Sequence, residues 1–481
     1  MTYSKFNKIL FFSMLGLLIF IPLYPKFPLA NVSGTFVAIR WEDILIGVVV
    51  GGWFIGNIHR LRFLLSQTIV QAFLLFWFVG LLSVFSGIFV THTVEPHLGI
   101  LHWFRRVEYM SLFLVAATLI RNIGWVKLAI KVILLTGVVV IAYGFGQIFL
   151  NFPVVSTNNS EFSKGTILYL TQGARVNSTF AGHYDLAIYL SIVLMLAAGL
   201  FFDRRSFFYK LKLLAVGVSG FVLLGLTAAR VSFVATLVGL SLAFWISKKR
   251  LLVIGLIVIT MALLVGIPEL RHRLVATITV NLLGGGGPKY SPPPGTVTVF
   301  TPAGSIPKDQ RTQVLEKAKK ESTDPARPSA TVSADTVPGE PINTTELGVF
   351  RSYGIRLDVE WPRAINSFLK NPFLGTGYSS ISLATDNDYL RSLGETGFLG
   401  TLCLGAIFFA WVKKMIKFLQ VSEHFEKYFT ISMISILVTL GITETFIDGL
   451  EASKIAEVFW LLAGISWAVI TKYKLSSYEK D

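Results

Sequence analysis

A chain of 481 residues with 53% hydrophobic and only 15% charged residues is not a soluble globular protein, because its apolar residues gather in repeated runs of about 20, the length that crosses a bilayer. The formal net charge of +15 does not indicate nucleic-acid binding, since the Lys and Arg residues are split among short loops and form no continuous face. The single cysteine, Cys403, excludes an internal disulfide and a thiolate metal site.

Apolar segments predict helices that span a membrane. A backbone in the bilayer core has no water to bond, which leaves helices or a closed barrel, and unbroken apolar runs exclude alternating barrel strands. The sequence therefore predicts an all-α polytopic membrane protein with about twelve transmembrane helices and a large extracytoplasmic loop between helices 9 and 10. The predicted spans lie near residues 9–24, 36–57, 69–90, 104–121, 125–150, 184–202, 211–228, 231–246, 251–267, 393–412, 428–447 and 454–471.

Lys and Arg residues occupy alternate connections between these spans. Lys5 and Lys8 precede the first span, and Lys472 and Lys474 follow the last. The positive-inside rule then predicts that both termini are cytoplasmic. The first apolar run could also be a signal peptide, but the many spans downstream favour an uncleaved first helix.

The connections divide the chain into three regions. Residues 1–267 hold helices 1–9, residues 268–391 form the extracytoplasmic loop, and residues 392–481 hold helices 10–12. Within the loop, 281–348 is rich in Pro, Gly and Thr and is predicted to be a flexible insertion. Residues 349–391 have apolar residues near helical spacing and are predicted to be an ordered helical part that packs over the bundle and carries the active-site motifs.

Polar residues concentrate in the predicted outer connections. A very short connection places Arg230 between two helices, where it could bind substrate or only anchor a helix end. Four further motifs follow in the loop and just after it. They read Arg356-Leu-Asp-Val-Glu-Trp361, Asn371-Pro-Phe-Leu-Gly-Thr-Gly377, Asp386-Asn-Asp-Tyr-Leu-Arg391 and Gly394-Glu-Thr-Gly-Phe-Leu-Gly400.

The order of these motifs resembles that of the O-antigen ligase and Wzy-type polysaccharide polymerase superfamily of bacterial envelopes. The resemblance covers 173–411 and begins with Asn177-Ser-Thr-Phe-Ala-Gly-His183 and Thr227-Ala-Ala-Arg230. It implies a glycosyltransferase of the bacterial inner membrane, with its active site on the outer face. The implied donor is an oligosaccharide on polyprenyl diphosphate, and the implied acceptor is another glycan or a lipid-linked glycan. Metal-independent inverting transfer without a cofactor is implied, with membrane lipids and envelope-assembly proteins as further partners.

The resemblance also implies roles for individual residues. Arg230 and Arg356 match the family's arginine positions and are expected to bind the diphosphate, because guanidinium groups hold phosphate oxygens bidentately. Many ligases of the family carry His-Asn where this chain has Asp386-Asn387, so the base stays open among Asp386, Asp388 and His183, and polymerase is favoured over ligase. The remaining expected substrate-binding residues are Arg175, Arg351, Asn387, Tyr389, Arg391 and Trp361.

Other interpretations stay open for the same residues. Asp386 or Asp388 could cap the helix that begins near Tyr389, and Trp361 could serve packing alone. Glu444, Asp448 and Glu451 could bind acceptor hydroxyls or mark the membrane interface. A lipid-linked-glycan flippase or secondary transporter is the alternative function, and a catalytically inactive scaffold is a third. The few central charges in the spans favour surface chemistry over transport.

Overall fold

The computed structural model describes residues 3–33, 38–155, 169–170, 174–203, 206–282, 353–381 and 384–478. The chain divides into two compact units, one of 1–272 with 354–481 and one of 273–353. Only 273–282 and Tyr353 of the second unit are described, so most of the predicted insertion and Arg351 lie outside the described residues.

Helices dominate the first half of the chain because its apolar runs are long and free of breakers. Several begin at recognisable caps: the Asn122 side chain accepts a hydrogen bond from Trp125 N at 3.0 Å, and Pro96 occupies the first turn of its helix. The helices are α1 (Tyr3–Leu23), α2 (Trp41–Asn57), α3 (Leu61–Leu65), α4 (Thr68–Phe89), α5 (Pro96–Leu119), α6 (Ile123–Phe149), α7 (His183–Phe201), α8 (Phe207–Leu226) and α9 (Arg230–Ile246).

The second half begins with a sharp turn. The chain bends by 101° at the break near Ile267, where α10 (Leu251–Gly266) meets α11 (Pro268–Ala276). After the long loop, a π-helical turn (Ile355–Glu360) leads into a helix that ends before Asn371-Pro372, as proline requires. The later helices are α12 (Trp361–Lys370), α13 (Asp388–Val421), α14 (His424–Thr443) and α15 (Ser453–Tyr478).

The structure confirms an α-helical polytopic membrane protein but not twelve spans. Among the described residues, nine helices are long and apolar enough to cross a membrane, or ten if the bent pair at Ile267 counts as one. Each predicted span does correspond to a helix. However, α9 has only 17 residues, and α5 carries Arg105, Arg106 and Glu108 near its middle.

A small antiparallel hairpin departs from the purely helical prediction. Strands β1 (Pro28–Asn31) and β2 (Ala38–Arg40) follow α1 and precede α2. The extended Arg40 then begins α2, and its backbone N–H donates to the Asp43 carboxylate at 2.8 Å. Sequence periodicity misses these strands because three or four residues are too few to show alternation.

Small residues allow close packing at the centre of the bundle. Gly199 of α7 meets Ser432 of α14, and Gly239 of α9 meets Thr439 of α14, so that a Cβ at either glycine would overlap its neighbour. The described part of α15 is almost entirely buried, with extensive packing against α5. Such contacts are typical of membrane helices, whose association depends on close packing rather than on the hydrophobic effect.

The two glycine motifs of the sequence pair with each other. Helix α13 is broken at Gly397, which has φ of 64°. The segment 371–377 lies in this break: Thr376 N donates to Gly394 O and Gly377 N donates to Glu395 O, both at 2.9 Å. These amides are therefore paired within the fold and are not available to bind a phosphate.

Several polar segments lie at one end of the bundle, around Thr179, Asp388 and Lys454, and we call this the site end. The Lys454 ammonium at the start of α15 donates to Pro22 O at 3.3 Å, at the end of α1, and to Thr179 O at 2.9 Å, just before α7. The N–H of Asp388, at the start of α13, donates to Glu444 O at the end of α14. Helices that begin or end at this point thus bring distant motifs together.

Candidate active site

Arg356 and Asp386 form an ion pair at the site end. The guanidinium comes from the π-helical turn 355–360 and the carboxylate from the loop before α13, and their Nη2 and Oδ2 atoms are 2.6 Å apart. Burial raises the pKa of Asp386, with Arg356 opposing the rise and Asp448 adding to it. The structure therefore brings two predicted catalytic residues together as an ion pair.

Asp448 fixes the loop that carries Asp386. Its Oδ2 accepts a hydrogen bond from Thr385 N at 2.7 Å, and its Oδ1 accepts one from Asn387 N at 2.8 Å. Asp386, between these two residues, has φ of 49°, a left-handed conformation that residues other than glycine seldom adopt. A single carboxylate thus holds the backbone on both sides of a strained residue, as is typical of functional sites.

Three arginines from separate segments converge near this ion pair. Arg230, the first residue of α9, interacts electrostatically with Tyr184, with Arg175 and with Arg356. Like charges repel, and the Asp386 carboxylate pairs with one of these guanidinium groups, that of Arg356. The arrangement creates a positive potential suited to an anion with several oxygens.

His183 positions one of these arginines. Its Nε2 lies 2.5 Å from Nη1 of Arg175, and because a guanidinium only donates, Nε2 must accept. The imidazole also lies against the Tyr184 ring, with centroids 4.0 Å apart. The lone pair of Nε2 is therefore occupied, and the predicted role of His183 as a base finds no support at that nitrogen.

Glu360 is a carboxylate that the sequence analysis did not single out. It lies one helical turn after Arg356, and burial, followed by repulsion from Asp386, raises its pKa to about 7, with Arg356 lowering it and Asp448 raising it. Its Oε2 has no hydrogen-bond partner among the described residues. The four-residue spacing from Arg356 was the available signal, since it places both side chains on one helical face.

Arg391, expected to bind substrate, is instead surrounded by carboxylates. Its Nη1 lies 3.0 Å from Asp448 Oδ2, its Nη2 3.6 Å from Glu395 Oε1, and its Nε 3.8 Å from Glu451 Oε1. Arg106 of α5 also pairs with Glu451. This buried network orders the segments around α13 and occupies the Arg391 guanidinium, and donor binding by Arg391 stays a prediction.

The side chains of Asn387 and Tyr389 form hydrogen bonds with backbone groups. The Asn387 side chain caps α13 by accepting from Leu390 N at 2.9 Å, and it donates to Thr445 O at 3.1 Å. Asparagine is thus the cap, rather than Asp386 or Asp388. The Tyr389 hydroxyl donates to Gly441 O at 2.8 Å, while about half of its side chain stays exposed.

Asp388 faces the α14–α15 connection and not the arginine cluster. Its Oδ2 accepts a hydrogen bond from Leu450 N at 2.8 Å. Beside it, burial and then the Asp388 charge raise the pKa of Glu444 well above its usual range. Both acids therefore stabilise this connection.

The remaining predicted residues contribute less to the site as described. The Trp361 ring packs on Phe446 with centroids 5.7 Å apart, while its Nε1 has no hydrogen-bond partner among the described residues. Arg351 lies outside them. Within the same ranges, no group of three or more His, Cys, Asp or Glu side chains is arranged to hold a metal ion.

Comparison with known proteins adds no family to these observations. Neither the family models nor the curated proteins give a match to the chain.

Proposed function

We propose that the protein is a membrane glycosyltransferase that uses a glycan carried on polyprenyl diphosphate. The proposal rests on the convergence of Arg175, Arg230 and Arg356, the last of which pairs with the Asp386 carboxylate. A diphosphate offers several anionic oxygens, which guanidinium forks bind more specifically than ammonium groups do. The positive-inside pattern supports an orientation in which the site end faces outward.

The proposed reaction is an inverting displacement at the anomeric carbon. An acceptor hydroxyl forms the new carbon–oxygen bond while the bond to the diphosphate breaks. The hydroxyl proton passes to Asp386 or Glu360, and the negative charge that develops on the leaving diphosphate is stabilised by the arginine cluster. Elongation of a glycan and ligation to a lipid-linked acceptor share this chemistry, and the Asp386-Asn387 sequence favours elongation.

The decisive experiment is transfer by purified protein in proteoliposomes supplied with a polyprenyl-diphosphate oligosaccharide. A ladder of products indicates a polymerase, and one discrete adduct with an added acceptor indicates a ligase. We expect Arg356→Ala and Arg230→Ala each to reduce the rate by about 10²- to 10³-fold, because each removes a charge that stabilises the leaving group.

The matched control is Arg62→Ala. Arg62 is an exposed arginine of α3, which follows the end of α2 that is remote from the site end. This variant should keep the full rate. Full transfer by correctly folded Arg356→Ala and Arg230→Ala would refute the proposed role of the cluster.

A flippase or transporter for lipid-linked glycans is the second candidate function, and a different set of residues supports it. Glu42, Lys454 and Glu457 are almost completely buried ionisable residues in helices α2 and α15, and such residues often mark a transport pathway. They lie in the first turns of their helices rather than at the midplane, which favours the transferase. Movement of a labelled substrate across sealed vesicles without covalent transfer would favour the transporter.

A further inference from the structure

A cavity of about 790 Å³ lies between helices α6 and α8, at the opposite end of the bundle from the arginine cluster. Leu200 at the end of α7 and Phe425 at the start of α14 complete its wall. Its volume falls within the usual range of ligand sites, which is about 300–1,000 Å³. The positive-inside pattern predicts that this end of the bundle faces the cytoplasm.

Basic side chains gather at one end of the cavity. Lys127 and Lys131 come from the second and third turns of α6, and Tyr209 and Lys212 come from the first and second turns of α8. None of the three lysines forms an ion pair with a carboxylate among the described residues, and the Lys127 ammonium lies 5.2 Å from the Phe425 ring centroid. The amino ends of both helices add positive potential at the same place.

The rest of the cavity is hydrocarbon. On α6, Leu134, Leu135, Val138 and Ile141 continue the stripe begun by the lysines, at steps of three and four residues that keep one helical face. Leu135 is 55% exposed and Val138 is 42% exposed, so this wall is continuous with the outer surface of the bundle. The groove therefore passes from a cationic end to an apolar surface that faces the membrane.

We propose that this groove binds an anionic phospholipid. The phosphate lies among the three lysines and the Tyr209 hydroxyl, and one acyl chain lies along the apolar stripe of α6. A basic pocket between helices near the membrane surface suits a charged lipid headgroup. The apolar stripe of α6 beside this pocket offers contacts to an acyl chain, which a soluble phosphate does not have. This proposal is independent of the transferase reaction.

Native mass spectrometry of the detergent-purified protein tests the site, with phosphatidylglycerol and phosphatidylcholine of identical chains as probes. The wild type should retain phosphatidylglycerol preferentially. Each lysine near a membrane surface contributes about fivefold to binding of anionic lipid, so Lys127→Gln should weaken retention about fivefold. The triple variant K127Q/K131Q/K212Q should lose the preference.

Two further variants make the test specific to the groove. K248Q/K249Q/K417Q removes the same charge from exposed lysines that do not line the cavity, and it should keep the preference. Val138→Trp keeps the three lysines but fills the groove, and it should reduce phosphatidylglycerol retention at least fivefold. Each variant is first shown to keep the wild-type thermal midpoint.

Several outcomes would overturn the proposal. These are equal retention of the two lipids by the wild type, equal losses in the two triple variants, or an unaffected Val138→Trp. Effective competition by the water-soluble headgroup glycerophosphoglycerol would indicate a phosphate site without a role for the acyl chain, and would also refute it.

Discussion

Two groups of arginines at the site end have different surroundings, and this difference defines their roles. Arg391 and Arg106 are held by carboxylates in a buried network that orders the helix ends. Arg175 and Arg356 instead both lie close enough to Arg230 to interact with it electrostatically, and Arg356 pairs with Asp386. An arginine already saturated by carboxylates gains little from a phosphate, because an equally good partner must be released. Arg391 and Arg106 are therefore poorly suited to bind a diphosphate.

The carboxylates near Arg356 lead to a prediction about pH. Glu360 has a pKa of about 7, so it becomes a competent base only as the pH rises through this value. If Glu360 takes the acceptor proton, the transfer rate of the wild type increases between about pH 6 and pH 8, with its midpoint near the Glu360 pKa. Glu360→Gln should lower the rate and abolish this rise, measured as single-turnover transfer across the pH range.

Asp386→Asn provides the comparison. If Asp386 is the base, this variant loses the rise and Glu360→Gln keeps it, because the rise then reports the loss of the proton from the Asp386 carboxyl group. Glu423→Gln is the neutral control, since that side chain is 78% exposed. A rise that persists in both active-site variants would show that neither carboxyl group accepts the proton.

At the scale of elements, the break in α13 connects the loop 371–377 to the bundle. Phe398 N donates to Pro372 O at 2.8 Å and Leu399 N donates to Phe373 O at 3.1 Å, beyond the Gly397 break. The side-chain amide of Asn371 also donates to Ser86 Oγ of α4 at 2.8 Å. The loop thus satisfies backbone groups that an interrupted helix would otherwise leave unpaired in the bundle.

Gly397→Ala should therefore destabilise the protein. Gly397 has φ of 64°, and an added Cβ would overlap Phe373 O. The left-handed backbone alone costs alanine about 1–2 kcal/mol, and the overlap adds to this cost. We expect a loss of more than about 2 kcal/mol in the free energy of unfolding, seen as a thermal midpoint several degrees lower.

Gly405→Ala, in the same helix, is the matched control. No atom lies within 4 Å of a Cβ at this position, so the substitution should leave the midpoint unchanged or raise it slightly, since alanine favours helix by about 1 kcal/mol. Equal midpoints for the two variants would contradict the proposed strain at Gly397.

At the scale of the whole molecule, a second charged network joins helices at the site end. Lys454 of α15 bonds the carbonyls of Pro22 and Thr179, and its ammonium lies 4.9 Å from the Phe180 ring centroid. The nearby Glu457 is completely buried, and neither of its carboxylate oxygens has a hydrogen-bond partner among the described residues. Lys454 thus connects α1, the segment before α7 and α15.

Neutral substitutions of Lys454 and of Glu457 should change the thermal midpoint differently. Lys454→Met leaves two buried carbonyls without their donor, at about 1–3 kcal/mol each, so the thermal midpoint should fall. Glu457→Gln removes a buried charge without breaking a hydrogen bond to a described residue, so the midpoint should stay or rise. A lower midpoint for Glu457→Gln than for Lys454→Met would reverse the assigned roles.

Membrane orientation is predicted from charge alone and can be tested directly. In a Cys403→Ala background, a cysteine at Ser322, in the predicted extracytoplasmic loop, should react with an impermeant maleimide in intact cells. A cysteine at Lys249, in a basic connection, should react only after permeabilisation. The opposite labelling pattern would invert the topology and place the arginine cluster at the cytoplasmic face.

Much of the architecture can be predicted from the sequence because it depends on local patterns. Long apolar runs predict a helix at each of the twelve expected spans, since a membrane backbone must satisfy its own hydrogen bonds, and Asn371-Pro372 predicts the end of α12. Charge placement predicts which helix ends share a side. Hydropathy does not predict the short strands β1 and β2 or the break at Gly397. Each involves too few residues to change the apolar pattern of the sequence.

The sequence by itself determined the helical membrane class and the set of polar motifs, because both follow from residues that are close in the chain. Only the tertiary structure decided which of those motifs meet. It paired Arg356 with Asp386, surrounded Arg391 with Asp448 and Glu451, and raised the pKa of Glu360. Most of these paired residues lie on different helices and loops, so the sequence does not show that they meet. The pKa of each carboxyl group depends on its burial and on neighbouring charges, and both are decided by how the helices pack.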